Sequence, residues 1–255
     1  GNSLGDHFGV GHIFLAGEAP GLFYGYVTQG IVQKEDITEN GIKYIKQDGS
    51  VGYYQTVNKT TPVAGDVKYV DRNGDGVVDD NDRDIIGNPN PDFTYGFQTK
   101  VSWKSLSLSA SFNGVQGRDI LNVGNRYNNT PGTKSNNVTR KAFQNMWTDE
   151  NPSNLYPKST FVVQNMVMDR YVEDGSYLRC SDITLSYVLP AKWTNKIGIK
   201  NTSVYASVKN AFVITDYSGY DPEVNSFAFD GLRPGVDMNS YPTPRSFVFG
   251  LNLTF

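Results

Sequence analysis

The last ten residues, SFVFGLNLTF, alternate between apolar side chains and small or polar ones. The apolar parity comprises Phe247, Phe249, Leu251, Leu253 and Phe255. Only Val248 interrupts the opposite parity. A period of two predicts a β-strand with one apolar and one polar face. This feature constrains the fold most, because such a strand must place its apolar face against a second layer of protein or against lipid.

The same alternation recurs earlier in the chain. It is clearest in SLSLSASFN, where Leu106, Leu108, Ala110 and Phe112 alternate with serines. The segments with this pattern are residues 92–103, 105–113, 182–190 and 201–214. Because only Lys104 and Ser105 separate the first two, we expect a hairpin with a tight turn. One more strand is expected around residues 22–31.

Few segments have a helical pattern, so the sequence predicts an all-β fold. No stretch approaches the ~18 apolar residues of a membrane-spanning helix, but a spanning β-strand needs only ~9–11 residues in alternation. The net charge of −3 gives no field that favours nucleic acid, so we expect no nucleic-acid partner. The single cysteine, Cys180, excludes an internal disulfide framework.

The connections between the predicted strands alternate in length. The hairpin turn is very short and the connection over residues 191–200 is modest, whereas residues 114–175 and 218–244 form long polar excursions. Loops this long are uncommon unless they are functional. Short turns at one end and long loops at the other are typical of outer-membrane barrels. We therefore divide the chain into an outer-side strand and loop region, 1–92, and a barrel-strand region with the long loops, 93–255.

Two packings explain the alternation. In a soluble β-sandwich the apolar faces of two sheets meet across a core, and serines on the outer faces are ordinary. In a membrane barrel the apolar faces meet lipid, and aromatic side chains collect at the two interfaces. Aromatic residues do lie near the ends of the apolar strands, at Phe93, Tyr95, Trp103, Trp193, Phe247 and Phe255. This placement favours the barrel.

Several stretches resemble the SusC/RagA family of TonB-dependent outer-membrane transporters. They occur in the order of the family and cover most of the chain. They are PGLFYGYVTQGIV (20–32), DRNGDGVVDDNDRDIIGNPNPDFTYGF (71–97), WTDENPSNLYP (147–157), EDGSYLRCSDITLSYVLP (173–190) and GYDPEV (219–224). The terminal strand ending in Phe255 also resembles the C-terminal signal by which bacterial outer-membrane barrels are recognised for assembly.

The resemblance implies the C-terminal strands of a large transmembrane β-barrel, in a fragment that does not close alone. The five or six predicted strands fall short of the about eight in the smallest membrane barrels. It further implies a bacterial outer-membrane location, a SusD-like surface lipoprotein as lid, and TonB acting through a plug domain outside this chain. The expected cargo is an oligosaccharide or a peptide, and the expected activity is transport, without enzymatic chemistry.

One segment, DRNGDGVVDDND, has the ligand spacing of a calcium loop. The candidate ligands are Asp71, Asn73, Asp75, Val77 (through its carbonyl), Asp79 and Asp82. Two features depart from that pattern: Asp82 stands where a longer Glu is usual, and the preceding DVKYV favours a strand over a helix. The alternative is an acidic loop held by its own Asx turns. We expect a weak calcium site with a structural role.

Aromatic and amide residues in the long loops are candidates for ligand contact, because recognition usually sits on loops. The candidates are Tyr127, Asn128, Trp147, Tyr156, Phe227, Phe229 and Tyr241. Alternatively these side chains pack the loops together or contact a lid protein. A second hypothesis for the whole chain is a soluble, calcium-stabilised β-domain that binds glycans.

Overall fold

The computed structural model describes residues 2–4, 11–130, 137–159, 166–194, 199 and 201–254. The strands are β1 (Asn2–Leu4), β2 (His12–Phe14), β3 (Leu22–Tyr26), β4 (Thr28–Ile31), β5 (Ile37–Thr38), β6 (Gly41–Ile45), β7 (Val51–Tyr54), β8 (Thr56–Val57), β9 (Val67–Tyr69), β10 (Val77–Val78), β11 (Arg83–Gly87), β12 (Phe93–Trp103), β13 (Leu106–Gln116), β14 (Asp119–Asn122), β15 (Val172–Asp174), β16 (Tyr177–Val188), β17 (Asn201–Thr215), β18 (Val236–Asp237) and β19 (Ser246–Thr254). The helices are α1 (Val123–Asn129), α2 (Arg140–Asn145) and α3 (Ala191–Thr194), with 3₁₀ turns at Lys34–Asp36, Asp80–Asp82 and Asp169–Tyr171.

The chain forms two compact units that interleave in sequence. The first comprises Gly1–Asn90, Asp119–Glu173 and Val224–Ser240, and the second Pro91–Arg118, Asp174–Glu223 and Tyr241–Phe255. The predicted division has one boundary, between residues 92 and 93, whereas this grouping joins most of both long excursions to the first unit. The physical reason is apolar burial, because Leu121, Met168 and Val236 belong to the first unit's core.

The core of the first unit is built largely from tyrosine and valine. Tyr44, Tyr54 and Tyr69 are each at most 1% exposed and cluster with Val78 and Phe23. The strands around this core are short and form several small sheets. The hairpin of β6 and β7 illustrates why these short strands form. Buried and exposed residues alternate along both strands, so one face of the hairpin packs into the core.

The second unit is one antiparallel sheet in the order β12-β13-β16-β17-β19. All of the predicted amphipathic strands are confirmed, although β13 continues to Gln116, inside the expected loop 114–175, and β16 begins at Tyr177, before the expected start at Asp182. Lys104 and Ser105 form the predicted tight turn, in which Lys104 takes a left-handed conformation with φ 54°. The short connections and the long ones leave from opposite ends of this sheet.

A bulge crosses the middle of this sheet. The register between β13 and β16 shifts at Ser111/Phe112, and that between β16 and β17 shifts between Cys180 and Asp182. Ser181 is therefore an extra residue of β16 relative to β13, and it reverses side-chain parity within β16. In the other pairing β17 has the extra residue, because Asn210 and Ala211 lie opposite Ser181. The reversal keeps Cys180, a buried free thiol, in register with Phe112.

Candidate functional site

One face of the second unit's sheet is apolar and exposed. The pairing aligns apolar side chains across the strands, for example in the row Val101, Leu108, Leu185, Ala206 and Phe249. In a sandwich this face would be sealed in a core. Instead Leu106, Leu185 and Leu253 are 38%, 44% and 42% exposed, and Phe249 is 78% exposed. Within the described residues, no second layer covers this face.

The opposite face is polar, and its side chains are bonded to one another. Asp182 lies at its centre and accepts hydrogen bonds from Thr184 Oγ1 at 2.8 Å and Ser207 Oγ at 2.7 Å. Lys209 Nζ completes the network at 2.6 Å from the Asp182 carboxylate. The sequence assigned these residues to the polar parity but did not reveal the network, which depends on the pairing of β16 with β17.

The apolar face has the dimensions of a bilayer core. β12 contains 11 residues, so its ten steps of about 3.3 Å span about 33 Å, which a tilt of about 40° reduces to about 25 Å. Exposed aromatic residues mark both ends, with Phe93 at one and Trp103 at the other. The ammonium group of Lys104 lies 4.8 Å from the centroid of the Trp103 ring, an arrangement suited to a membrane interface. Phe255 lies outside the described residues.

The described helices are all too short or too polar to traverse a lipid bilayer.

The GYDPEV segment is anchored to the polar face of the sheet by buried charges. Arg179 on β16 is 5% exposed, and its Nη2 lies 2.5 Å from Oδ1 of Asp221. Glu223 approaches Arg179 Nε at 3.1 Å and accepts a hydrogen bond from Tyr177 Oη at 2.6 Å. Burial raises the pKa of Asp221, but hydrogen bonds from Thr243 and the Glu223 backbone, with the Arg179 charge, outweigh it and leave the pKa below its usual value.

The calcium-like loop is held by its own carboxylates. Asp71, 3% exposed, accepts hydrogen bonds from the backbone N–H groups of Gly74 at 2.7 Å and Gly76 at 2.8 Å. Asp82 is fully buried and accepts from the backbone of Arg72 at 2.8 Å and of Asp79 at 2.8 Å. These are the contacts of the self-bonded acidic loop that was the alternative to a metal site.

The other candidate ligands take part in the same turns. Asn73 and Asp75 accept from the backbone N–H groups of Asp75 and Val77, and Asp79 caps the 3₁₀ turn by accepting from Asn81. Val77 is in β10, paired with β8. In the described part of the chain, no three His, Cys, Asp or Glu side chains form a metal-binding group. Calcium binding therefore stays a prediction.

Burial and neighbouring carboxylates raise pKa values beneath this loop. Tyr44 is 1% exposed and donates a hydrogen bond to the backbone carbonyl of Asp71 at 2.7 Å. Burial, together with the nearby Asp71 and Asp82 carboxylates, raises the pKa of Tyr44 to about 12. Burial also raises the pKa of Asp71, against the lowering effect of its backbone hydrogen bonds.

The aromatic candidates for ligand contact fall into two groups. Trp147 and Tyr156 are 9% and 8% exposed, and Trp147 Nε1 donates to Gln33 Oε1 at 3.0 Å, so both pack the loops. Phe229 and Tyr241 are 84% and 89% exposed. Tyr127, Asn128 and Phe227 are half-buried, and Tyr127 and Phe227 pack against the first unit's core.

No protein-family model matches the chain. The chain is 35% identical over 201 residues to a TonB-dependent receptor of Formosa agariphila, covering 76% of this chain and 20% of that protein. It is 34% identical over 194 residues to the TonB-dependent receptor SusC of Bacteroides thetaiotaomicron, covering 73% of this chain and 17% of that protein. A solved structure of the RagAB peptide transporter superposes with a TM-score of 0.65 at 24% identity, over 97% of this chain and 24% of that one.

The sheet with its exposed apolar face is therefore a section of transmembrane β-barrel wall, and the class of protein is a TonB-dependent receptor. Within that class the chain belongs to the SusC/RagA-like transporters. The chain spans about a fifth of the length of the curated relatives it matches.

Proposed function

We propose that the chain forms part of an outer-membrane importer for oligosaccharides or peptides. Its sheet would contribute to the barrel wall, with the apolar face toward lipid and the Asp182–Lys209 network toward the lumen. The observation that carries this proposal is the reversed exposure of the two faces in the inner strands β13, β16 and β17, since both faces of the edge strands β12 and β19 are exposed. Apolar side chains such as Leu108 and Phe249 are 47% and 78% exposed, whereas Ser207 on the polar face is 4% exposed.

In this proposal the long loops and the outer-side region 1–92 lie on the outer side of the membrane. A SusD-like lipoprotein would close over them as a lid, and TonB would act through a plug domain supplied by the remaining length of the protein. The curated relatives are named as TonB-dependent receptors, which supports the part of this proposal that concerns TonB. The exposed Phe229 and Tyr241 are the strongest of the original aromatic candidates for contact with cargo or lid.

The experiment compares two neighbouring residues on opposite faces of β13. In the protein expressed in its own host, Ala110→Lys should lower the amount of folded barrel in the outer membrane, measured by heat-modifiable gel migration, because Ala110 lies on the apolar face and pairs with Thr99 near the middle of β12. A lysine facing lipid at mid-bilayer costs about 2–4 kcal/mol, or about 30- to 900-fold in insertion. The matched variant Ser109→Lys should insert almost normally.

Equal effects of the two substitutions would contradict the proposal. A second contradictory result would be a monodisperse monomer of residues 1–255 that melts cooperatively without detergent. That result would favour the soluble glycan-binding domain instead.

We also propose that loop 71–82 binds calcium weakly and for structure. The carboxylates of Asp71 and Asp82 use lone pairs for backbone N–H groups, and a carboxylate oxygen has a second lone pair for a cation. Burying these two charges close together is costly, and a bound cation would offset that cost. The site would then stiffen the chain just before β11.

A further inference from the structure

The end of the second unit's sheet from which the short connections leave is basic. This short-turn end comprises the turn between β12 and β13 and the connection between β16 and β17. Residues 101–107 and 187–203 contain four lysines and no aspartate or glutamate, and Lys104 and Lys192 are the two in the described part of the chain. The acidic residues of this unit lie in the middle of β16 or at the long-loop end: Asp92, Asp174, Asp182, Asp216, Asp221 and Glu223. Acidic side chains therefore do not offset the positive charge of the short-turn end.

The two short connections lie side by side. The backbone N–H of Val188 donates to the carbonyl of Ser105 at 2.8 Å, and that of Leu189 donates to the carbonyl of Thr202 at 2.9 Å. α3 follows Pro190 in the second connection and lies against β17. Because neighbouring strands are about 4.8 Å apart, the middle of one connection lies about 10 Å from the middle of the other.

Each connection presents a lysine next to an exposed tryptophan. Trp103 and Trp193 are 68% and 58% exposed. Lys104 directly follows the first and Lys192 directly precedes the second, and both lysines are exposed. Trp103 pairs with Leu106 on the apolar face, and Lys104 Nζ lies 4.8 Å from the centroid of its ring, so the ammonium group lies on the apolar side of the sheet. Within the described residues, neither lysine forms an ion pair with a carboxylate.

We infer that the short-turn end binds the headgroup phosphates of anionic glycerophospholipids through Lys104 and Lys192. This inference rests on the proposed function, because acyl chains that cover the apolar face end in headgroups at the level of Trp103. A lysine at that level attracts anionic lipid, and its three N–H donors suit phosphate oxygens. An acidic protein would also suit two lysines, but it would have to displace lipid from the side of the sheet where the Lys104 ammonium group lies.

The test measures the lipid affinity of the full-length protein, purified from the outer membranes of its host in a nonionic detergent. Native mass spectrometry follows titrations with dioleoylphosphatidylglycerol and dioleoylphosphatidylcholine, which share their acyl chains and differ in headgroup charge. We expect tighter binding of phosphatidylglycerol. Since one lysine near a membrane surface contributes about fivefold in affinity for anionic lipid, Lys104→Gln/Lys192→Gln should bind phosphatidylglycerol about 25-fold more weakly. The affinity of this variant for phosphatidylcholine should not change.

A matched control removes two positive charges elsewhere. Lys43 and Lys46 are exposed in the first unit, on β6 and directly after it, so Lys43→Gln/Lys46→Gln should keep the preference for phosphatidylglycerol. The single variants Lys104→Gln and Lys192→Gln should each lose about fivefold in affinity for this lipid. These single variants keep the inference testable if the double variant does not fold, which heat-modifiable gel migration reports.

Equal affinity of the unmodified protein for the two lipids would overturn the inference and leave an acidic protein as the occupant. Equal losses in the two double variants would also overturn it, because they would reflect net charge alone. Lipid preference and barrel insertion are separate measurements. If Ala110→Lys and Ser109→Lys insert as expected but the lipid preference is absent, the lipid inference fails and the proposed function stands.

Discussion

At the scale of single residues, the best-defined stabilising feature is the group of ion pairs around Arg179. This side chain is almost fully buried, yet the carboxylates of Asp221 and Glu223 both lie within ion-pair distance. Removing one member of such a group leaves the others without compensation, which costs more than the group contributes when intact. The cluster fixes the loop after β17 against the polar face of the sheet.

We therefore predict that Arg179→Met lowers the free energy of unfolding of the chain in detergent micelles by about 3–5 kcal/mol, measured by urea titration. The residual Asp221 carboxylate, which is 8% exposed, is the cause. Arg245→Met is the control, because Arg245 is exposed and a surface change should cost less than about 0.5 kcal/mol.

Acidification should likewise lower the free energy of unfolding of the chain without any substitution. Because the folded pKa of Asp221 is depressed below 3.8, its contribution is fully present above that pH and is lost as the pH falls through the lower folded value. If Arg179→Met and Arg245→Met lowered the free energy of unfolding by similar amounts, the cluster would not anchor the loop.

At the scale of elements, the bulge at Ser181 decides which residues of β16 face lipid. Without the extra residue, Leu178 and Cys180 would move to the polar face and Arg179 would move to the apolar one. The alternation within residues 182–190 is regular, so the sequence predicted that part of the strand correctly. The residues of β16 that precede Ser181 follow the opposite parity because of the bulge.

We predict that deleting Ser181 abolishes assembly of the barrel, since a one-residue slip places a buried arginine toward lipid. The measurement is the heat-modifiable folded fraction in outer membranes. Deleting Gly231 is the control, because a Cβ at this loop position would meet no other atom within 4 Å, and the deletion should be tolerated. Normal assembly without Ser181 would contradict the assigned register.

At the scale of the molecule, each of the two units is stabilised in its own way. The first has a core of buried tyrosines and valines. The second presents exposed apolar side chains that only a lipid or detergent environment can cover. A calcium ion in loop 71–82 would therefore act on the stability of the first unit.

We predict that about 10 mM calcium stabilises the first unit by about 1.4–2.7 kcal/mol, given a dissociation constant of ~10⁻⁴–10⁻³ M. The melting transition of that unit should rise by several degrees, measured by calorimetry in micelles. Asp75→Ser should abolish the rise. Asp48→Ser, which removes an exposed aspartate from a separate turn, should not. An identical rise with magnesium, or with Asp75→Ser, would indicate a nonspecific ionic effect.

The sequence by itself determined the sheet of the second unit, because alternation with period two is a local property of an amphipathic strand. It also determined the tight turn at Lys104, where two residues separate two clear strands. The family resemblance likewise depended on contiguous stretches of sequence.

Only the tertiary structure decided which loop residues are buried. Trp147 and the exposed Phe229 are both aromatic residues in polar surroundings, and no local pattern separates them. The polar network of Asp182 and Lys209 and the burial of Arg179 depend on contacts between segments far apart in the chain. Alternation determines which way a side chain points, but the packing of distant segments determines what it meets.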